Sequence, residues 1–414
     1  MLRGLIYLLI IQKRSLISHV RAKYDVAGEK LFQGINVWVS LRAILASMLD
    51  DPSSDGVTLI IDALDECMID RPQLIDFLVQ LSASSRAKWI VSSRNWPEIE
   101  EKLDNTKQGV RLCLELNENL ISAAVRGYIR EKVGRLAKQK RYDDRIGDIV
   151  EQHLISNAND TFLWVALVCQ ELAVVPKRHT LAKLKTFPPG LDSLYMRMME
   201  HINNLSDDAD LCKKILAVAS VVYHPITLKE LKVLVEALDD DDDDDDEQLK
   251  DIIGSCGSFL TIREGVITFV HQSAKDFLLD KALDQILPSG VAHQHYAIFS
   301  RSLETLSKTL RRDIYSLNAP GLSINQVSPP NPDPLASSRY SCIYWVDHLS
   351  DSHHSERIKG NKDLQDGSVV HGRIHAFLRK HLLHWLEALS LMHKTSNGIR
   401  SIISLDTTIS VSNR

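Results

Sequence analysis

The chain has 414 residues, 44% of them hydrophobic and 25% charged, which is enough apolar material for several folded domains and excludes a disordered chain. Its formal net charge of −5 comes from one place, the run of aspartates at 239–246; without it the 49 basic residues slightly outnumber the acidic ones. Near-neutral elsewhere, the chain has no overall electrostatic reason to seek nucleic acid. Its six cysteines, at positions 67, 113, 169, 212, 256 and 342, include no pair at zinc-finger or redox spacing, a pattern suited to a reducing cytosol.

The first stretch, "MLRGLIYLLIIQKRS", has an apolar run too short for a bilayer, which needs about 20 residues, and no small-residue cleavage site follows it. Leu2, Leu5, Ile6, Leu9 and Ile10 fall at helical spacing, which predicts an amphipathic helix covering a sheet. "VWVSLRAILASMLDD" (37–51) predicts a helix that stops before Pro52. In "TLIIDALDEC" (58–67) a short apolar run reads as a buried strand of a parallel sheet. It ends in Asp62, with Asp65 and Glu66 close behind. A helix over 71–82 carries Leu74, Phe77, Leu78 and Leu81 on one face and tolerates Pro72 in its first turn. Two more strands are expected in "AKWIVSSR" and in "VRLCLEL" (110–116). Strands alternating with helices imply right-handed crossovers and a parallel sheet.

Beyond Asn117, an N-cap candidate, the pattern turns helical. "NENLISAAVRGYIREKVGRLA" keeps Leu120, Ala124, Ile129 and Val133 in register, and "DDRIGDIVEQHLIS" and "DTFLWVALVCQELA" continue the run. "FPPGLDSLYMRMMEHI" reads as a linker entering another helix. Thr227 is placed to cap "LKELKVLVEAL", and "SFLTIREGVITFVH" reads as a hairpin about a Glu264-Gly265 turn. Helix, helix, helix, hairpin is a winged-helix order. Helices are expected around 290–317 and 374–393, separated by the proline-rich "VSPPNPDPLASS", while the tail "SNGIRSIISLDTTISVSNR" shows no clear element. No internal repeat of about 20 to 50 residues is present.

The chemistry of the 58–67 stretch is specific. A carboxylate at the C-terminal end of a parallel strand faces the crevice where open α/β sheets bind ligands. In phosphate-processing enzymes such an aspartate holds Mg²⁺, usually through water, while a glycine-rich loop and its lysine cradle the phosphates at a helix N-terminus. The loop pattern G-x-x-x-x-G-K-[ST] occurs nowhere in the 414 residues; "GEKLFQG" (28–34) has the wrong order and spacing. The aspartate run does not fit a calcium loop either, because Asp244 stands where glycine belongs and Lys250 where glutamate belongs. It reads as a solvated, self-repelling loop that would repel DNA. His371, His375, His381 and His384 lack the acid of a zinc motif, and Leu378, Leu382, Trp385 and Leu389 explain their helix as a core stripe.

Five motifs in order, "LIIDALDEC", "KWIVSSRNWPEIEEKL", "DTFLWVALVCQEL", "FPPGLDSLYMRMM" and "FVHQSAKDFL", resemble the NACHT-type NTPases of the STAND class, most closely the fungal ones that carry WD-repeat or ankyrin arrays. The resemblance implies an α/β fold followed by mostly α: a partial P-loop NTPase parallel sheet in 1–117, a helical domain in 118–205, a winged-helix domain in 206–285, further helices in 286–393 and an unstructured tail in 394–414. It implies a cytoplasmic signalling switch that binds ATP or GTP with Mg²⁺ and acts on protein partners or by self-association. Asp62 would be the Walker B magnesium ligand, and Asp65 or Glu66 would orient the attacking water. Arg94 would be the sensor arginine at the γ-phosphate, and His271 would touch the β-phosphate of bound ADP. Local alternatives stand beside two of these: Arg94 pairing with Glu98, and His271 capping a helix.

The departures matter as much. The family's P-loop strand and helix lie upstream of the segment that matches Met1, Thr161 stands where many relatives outside fungi keep a proline, and no repeat sensor follows residue 390. The expectation is therefore a fragment of a signalling protein, working through nucleotide-linked conformational switching and protein association without hydrolysis as it stands, and either with nucleotide or with no cofactor. The alternative is an active ATP- or GTP-hydrolysing NTPase whose Walker A exon is missing from the gene model; Asp65, Glu66 and Arg94 are catalytic only if that loop is supplied. Neither DNA binding nor a membrane span is expected.

Overall fold

A computed structural model of the chain describes residues 1–32, 36–67, 70–94, 97–104, 118–206, 208–238, 246–318, 322–359 and 367–412. It is mostly helical, with two small sheets, and divides into two compact units, Met1–Cys113 and Leu114–Arg414.

The first unit runs α1 (Leu2–Gln12), α2 (Ile17–Ala27), α3 (Val37–Asp50), β1 (Thr58–Ile61), α4 (Arg71–Ser84), β2 (Lys88–Val91) and α5 (Pro97–Asp104). The apolar spacing read in the first residues is used as expected: Leu2, Leu5, Ile6 and Leu9 are buried, and share a core with Ile44, Leu45 and Met48 of α3 and Leu74, Phe77, Leu78 and Leu81 of α4. After α3 the chain turns at Pro52–Ser54, where the Asp51 carboxylate accepts from the Ser53 amide at 2.8 Å and meets His19 Nε2 at 2.8 Å. β1 and β2 pair in parallel from Thr58↔Lys88 to Ile61↔Val91. Side chains alternate across a strand, so Leu59 and Ile61 enter the core while Ile60 and Ile90, opposite each other, stay 66% and 56% exposed. The expected strand at 110–116 lies outside the described residues.

The second unit begins with α6 (Glu118–Lys140), α7 (Asp144–Asn157), α8 (Phe162–Val174), α9 (Thr180–Leu184) and α10 (Leu191–Asn203). On α6 the inner face is Val125, Ile129, Val133 and Leu136, and Ala124, expected inside, is exposed. Trp164 of α8 is fully buried and its Nε1 donates to Pro188 O at 3.0 Å. There follow α11 (Ala209–Val221), β3 (Ile226–Thr227), α12 (Leu228–Leu234), α13 (Asp246–Ser255), β4 (Leu260–Arg263), β5 (Val266–Phe269), α14 (Gln272–Asp280) and α15 (Leu283–Ile286). The three strands form an antiparallel sheet in the order β3-β5-β4. Glu264 and Gly265 both take positive φ, 52° and 78°, as a tight hairpin between right-twisted strands requires. Thr227 caps α12 in a full capping box with Glu230, the reciprocal arrangement that satisfies two end amides at once. The aspartates from 239 to 245 lie outside the described residues, as does the Asn117 cap.

The chain closes with α16 (Val291–Thr309), α17 (Arg339–Lys359), α18 (Gly367–Leu391) and α19 (Thr395–Ser412). A separate core joins Phe299, Leu303 and Leu306 of α16 to Trp345, Val346 and Leu349 of α17 and to Ile374, Phe377, Trp385 and Leu389 of α18. Of the expected stripe of α18, Trp385 and Leu389 are fully buried, whereas Leu378 and Leu382 are only partly buried and Phe377 and His381 are the buried residues beside them. One expectation is corrected here. The tail from 394, read as unstructured, is helical over Thr395–Ser412, with Ser401 and Leu405 buried and the Ser404 hydroxyl 3.2 Å from that of Ser350 on α17. Its β-branched residues and Gly398 weaken intrinsic helix preference, and packing on α17 and α18 overrides that.

Candidate functional site

The end of β1 builds the first candidate site. The Ser92 amide donates to Ile61 O at 2.9 Å and the Leu64 amide to Ser92 O at 2.9 Å, so the two strands stay joined one residue past their ends. Asp62 then emerges exposed, and the Ser92 hydroxyl donates to its Oδ1. The same hydroxyl accepts from the Ala63 amide at 2.8 Å. Ala63 sits at φ 52°, ψ 56°, a left-handed conformation that costs a residue with a Cβ about 1–2 kcal/mol. Strain of this kind collects where a chain must aim a side chain. Here the turn sends Leu64 into the core and leaves the Asp62 carboxylate outside.

The three acids do not share one environment. Asp65, on the short turn Leu64–Glu66, is 8% exposed; its Oδ1 accepts from the Arg94 amide at 3.1 Å and its Oδ2 lies 3.4 Å from Arg94 Nε. Arg71 donates to Asp65 O at 3.1 Å and reaches Glu98 at 3.6 Å. Arg94 therefore binds Asp65, and Glu98 meets Arg71 instead. Asp62 and Glu66 face solvent. Ser92 was not among the residues singled out in the sequence, although a hydroxyl two positions before Arg94, at the end of the neighbouring strand, was the signal available.

His271 belongs to the second unit, where it is the N-cap residue of α14. Its Nδ1 accepts from the Ser273 amide at 3.1 Å and lies 2.8 Å from the Ser273 hydroxyl, which in turn is 3.0 Å from Tyr195 Oη. Because Nδ1 is the acceptor, the neutral ring carries its proton on Nε2. The histidine thus caps the helix with one nitrogen and presents an N–H donor with the other, at the end of a helix where partial positive charge collects. Capping and anion recognition are compatible. Burial pushes the Tyr195 phenol up from its ordinary range and the Lys275 ammonium, one turn into α14, down.

Mg²⁺ needs few protein ligands when phosphates and water supply the rest, and one exposed carboxylate with its second oxygen oriented by Ser92 fits that chemistry. A dedicated cage is absent among the described residues, where no three or more His, Cys, Asp or Glu side chains converge.

Comparison with known proteins adds two findings. Residues 1–94 match the family described as Nephrocystin 3, N-terminal. Over 420 aligned positions, covering 98% of the chain, 52% are identical to the vegetative incompatibility protein HET-E-1 of Podospora anserina. The chain is thus similar to HET-E-1 over nearly all of its own length. The likeness agrees with the fungal NACHT and STAND resemblance of the five motifs. The chain spans 30% of the length of that relative. No solved structure matches it. Among the described residues, no helix is long and apolar enough to cross a membrane.

Proposed function

We propose that the chain is the switching segment of a STAND-type signalling protein, responding to a nucleotide by a change of conformation that governs protein association. The observation that carries this reading is the strained, serine-pinned turn that aims Asp62 outward, in a chain 52% identical to HET-E-1. In this reading residues 1–117 are the nucleotide sheet, 118–205 a helical domain, 206–285 a winged helix and 286–393 a further helical region, to which α19 now belongs.

Asp62 would hold the Mg²⁺ that accompanies ATP or GTP, and the ion would supply charge neutralisation when bound. Arg94, held by Asp65 with its guanidinium half-exposed, would exchange that carboxylate for a terminal phosphate, a stronger bidentate partner. His271 Nε2–H would donate to a phosphate oxygen. Of the two acids proposed to orient water, Glu66 is the one left exposed, since Asp65 is occupied. The mode proposed for these residues is nucleotide-linked switching.

Limited proteolysis tests this directly. Mg²⁺–ATP or Mg²⁺–GTP at millimolar concentration is expected to alter the cleavage pattern of the wild-type chain and leave Asp62→Asn and Arg94→Ala unaltered. Identical wild-type patterns with and without both nucleotides would overturn the proposal.

A further inference from the structure

Elements of the second unit meet at one polar chain, buried at His295, His348 and Tyr340 and exposed at Tyr223 and Asp351. The turn after α11 brings Tyr223, α16 brings His295, and α17 brings Tyr340, Tyr344, Asp347, His348 and Asp351. His295 and His348 are 7% and 0% exposed, and their Nδ1 atoms face each other at 2.7 Å. Two ring nitrogens this close require one proton between them, neither none nor two.

The neighbours assign that proton. Tyr340 Oη accepts from the Tyr223 amide at 3.2 Å and lies 2.7 Å from His348 Nε2, so its own hydrogen points at Nε2. His348 therefore carries its proton on Nδ1 and donates it to Nδ1 of His295, whose own proton is on Nε2. The Tyr223 ring closes the arrangement, 4.7 Å from the His348 ring centre, with its phenol donating to Asp351 Oδ2 at 2.7 Å.

We propose that the His295–His348 contact is a proton-gated latch, holding α16, α17 and the Tyr223 turn together at neutral pH and opening on acidification. Geometry tolerates one added proton, because the Tyr340 hydroxyl can rotate and accept from His348 Nε2–H. A second, on His295 Nδ1, sets two N–H groups head to head and breaks the contact.

The charged surroundings set the direction. Burial pushes both imidazoles below their ordinary range, His348 the further. Asp351 favours a proton on His295, whereas Lys275 of α14 opposes it. Asp347 is held up at about 6 by burial and by Asp351, with Arg400 of α19 pulling the other way. Glu230 of α12 reaches the chain at the Tyr340 amide, and His224, on the same turn as Tyr223, lies edge-on to Tyr340 and Tyr344. A depressed imidazole contributes its stability above the unfolded value of 6.5 and loses it as pH falls below. Linkage then lets the opening constant rise by up to about tenfold per pH unit for each imidazole. Asp347 works oppositely, since its raised carboxyl takes up a proton in the closed form below about 6 and offsets one imidazole there.

Hydrogen–deuterium exchange of the full chain from about pH 8 to about pH 5, corrected for the intrinsic rate, is the test. Protection of peptides spanning His295 and His348 is expected to fall by more than about tenfold across this range while α6 to α8 hold theirs. His295→Asn, which keeps an acceptor where Nδ1 stood but does not titrate, should flatten the profile; Asp347→Asn should steepen it below pH 6. A flat wild-type profile overturns the latch, as does a His295→Asn variant with the wild-type slope. If His295→Asn does not fold, an Asp347→Asn profile no steeper than the wild type is equally decisive.

Discussion

Glu230 holds together two helices that are far apart in the chain. It is 5% exposed; its Oε2 accepts from the Thr227 amide at 2.8 Å and hydroxyl at 2.9 Å, and its Oε1 from the Tyr340 amide, at the start of α17, at 3.0 Å. Glu230→Ala removes all three bonds, each about 1.5–3 kcal/mol to a charged acceptor, and strands the amide of Tyr340, a residue 1% exposed. Against this, the variant no longer desolvates a carboxylate, which costs several kcal/mol. A net loss of about 3 kcal/mol follows, a large share of a typical domain's stability. Glu230→Gln keeps one acceptor oxygen, can satisfy one helix start but not both, and should lose about 1–2 kcal/mol. Urea denaturation gives the total, and hydrogen exchange gives its location, with protection lost at the starts of both α12 and α17. A Glu230→Ala variant within about 0.5 kcal/mol of the wild type, or one that loosens α12 alone, would refute the reasoning.

Other outcomes are expected. Asp347→Asn should stabilise the chain by about 1–2 kcal/mol at pH 8, after allowing for partial solvent screening. The gain should shrink as pH falls through about 6 and vanish below 3.8, because the native carboxyl is then neutral in both states. Thermal melts in several buffers check it. His271→Ala should cost about 1 kcal/mol of stability through the lost cap, whereas His271→Asn should keep the cap and lose only nucleotide response, read by the proteolysis assay. A Cβ at Gly398 would lie 2.7 Å from Leu389 Cδ1, so Gly398→Ala should loosen α19 and cost about 1–3 kcal/mol, seen as faster exchange in α19. Asp65→Ala should cost about 1–3 kcal/mol, mostly through the stranded Arg94 amide, measurable by urea denaturation.

The amino-acid sequence by itself determined the features that depend on neighbours a few residues away. The stripes of α1 and α4, the Thr227 cap and the Glu264-Gly265 hairpin all follow from spacing, side-chain reach and φ preference, and each is found where those rules put it. The outward carboxylate Asp62 was legible for the same reason, as the residue that ends an apolar strand. Tertiary structure alone decided what the other two acids do. Asp65 is drawn inward by Arg94, 29 positions later, and Glu66 is left outside. Neither α17 nor α19 was apparent locally, since α17 mixes tyrosine, histidine and aspartate with its apolar residues and α19 is rich in β-branched ones. Their stability comes from partners such as Glu230, 110 positions from Tyr340, and the His295–His348 pair, 53 positions apart. Hydrogen bonds between buried polar groups form only when distant segments exclude water around them together, and periodicity along the chain carries no record of that.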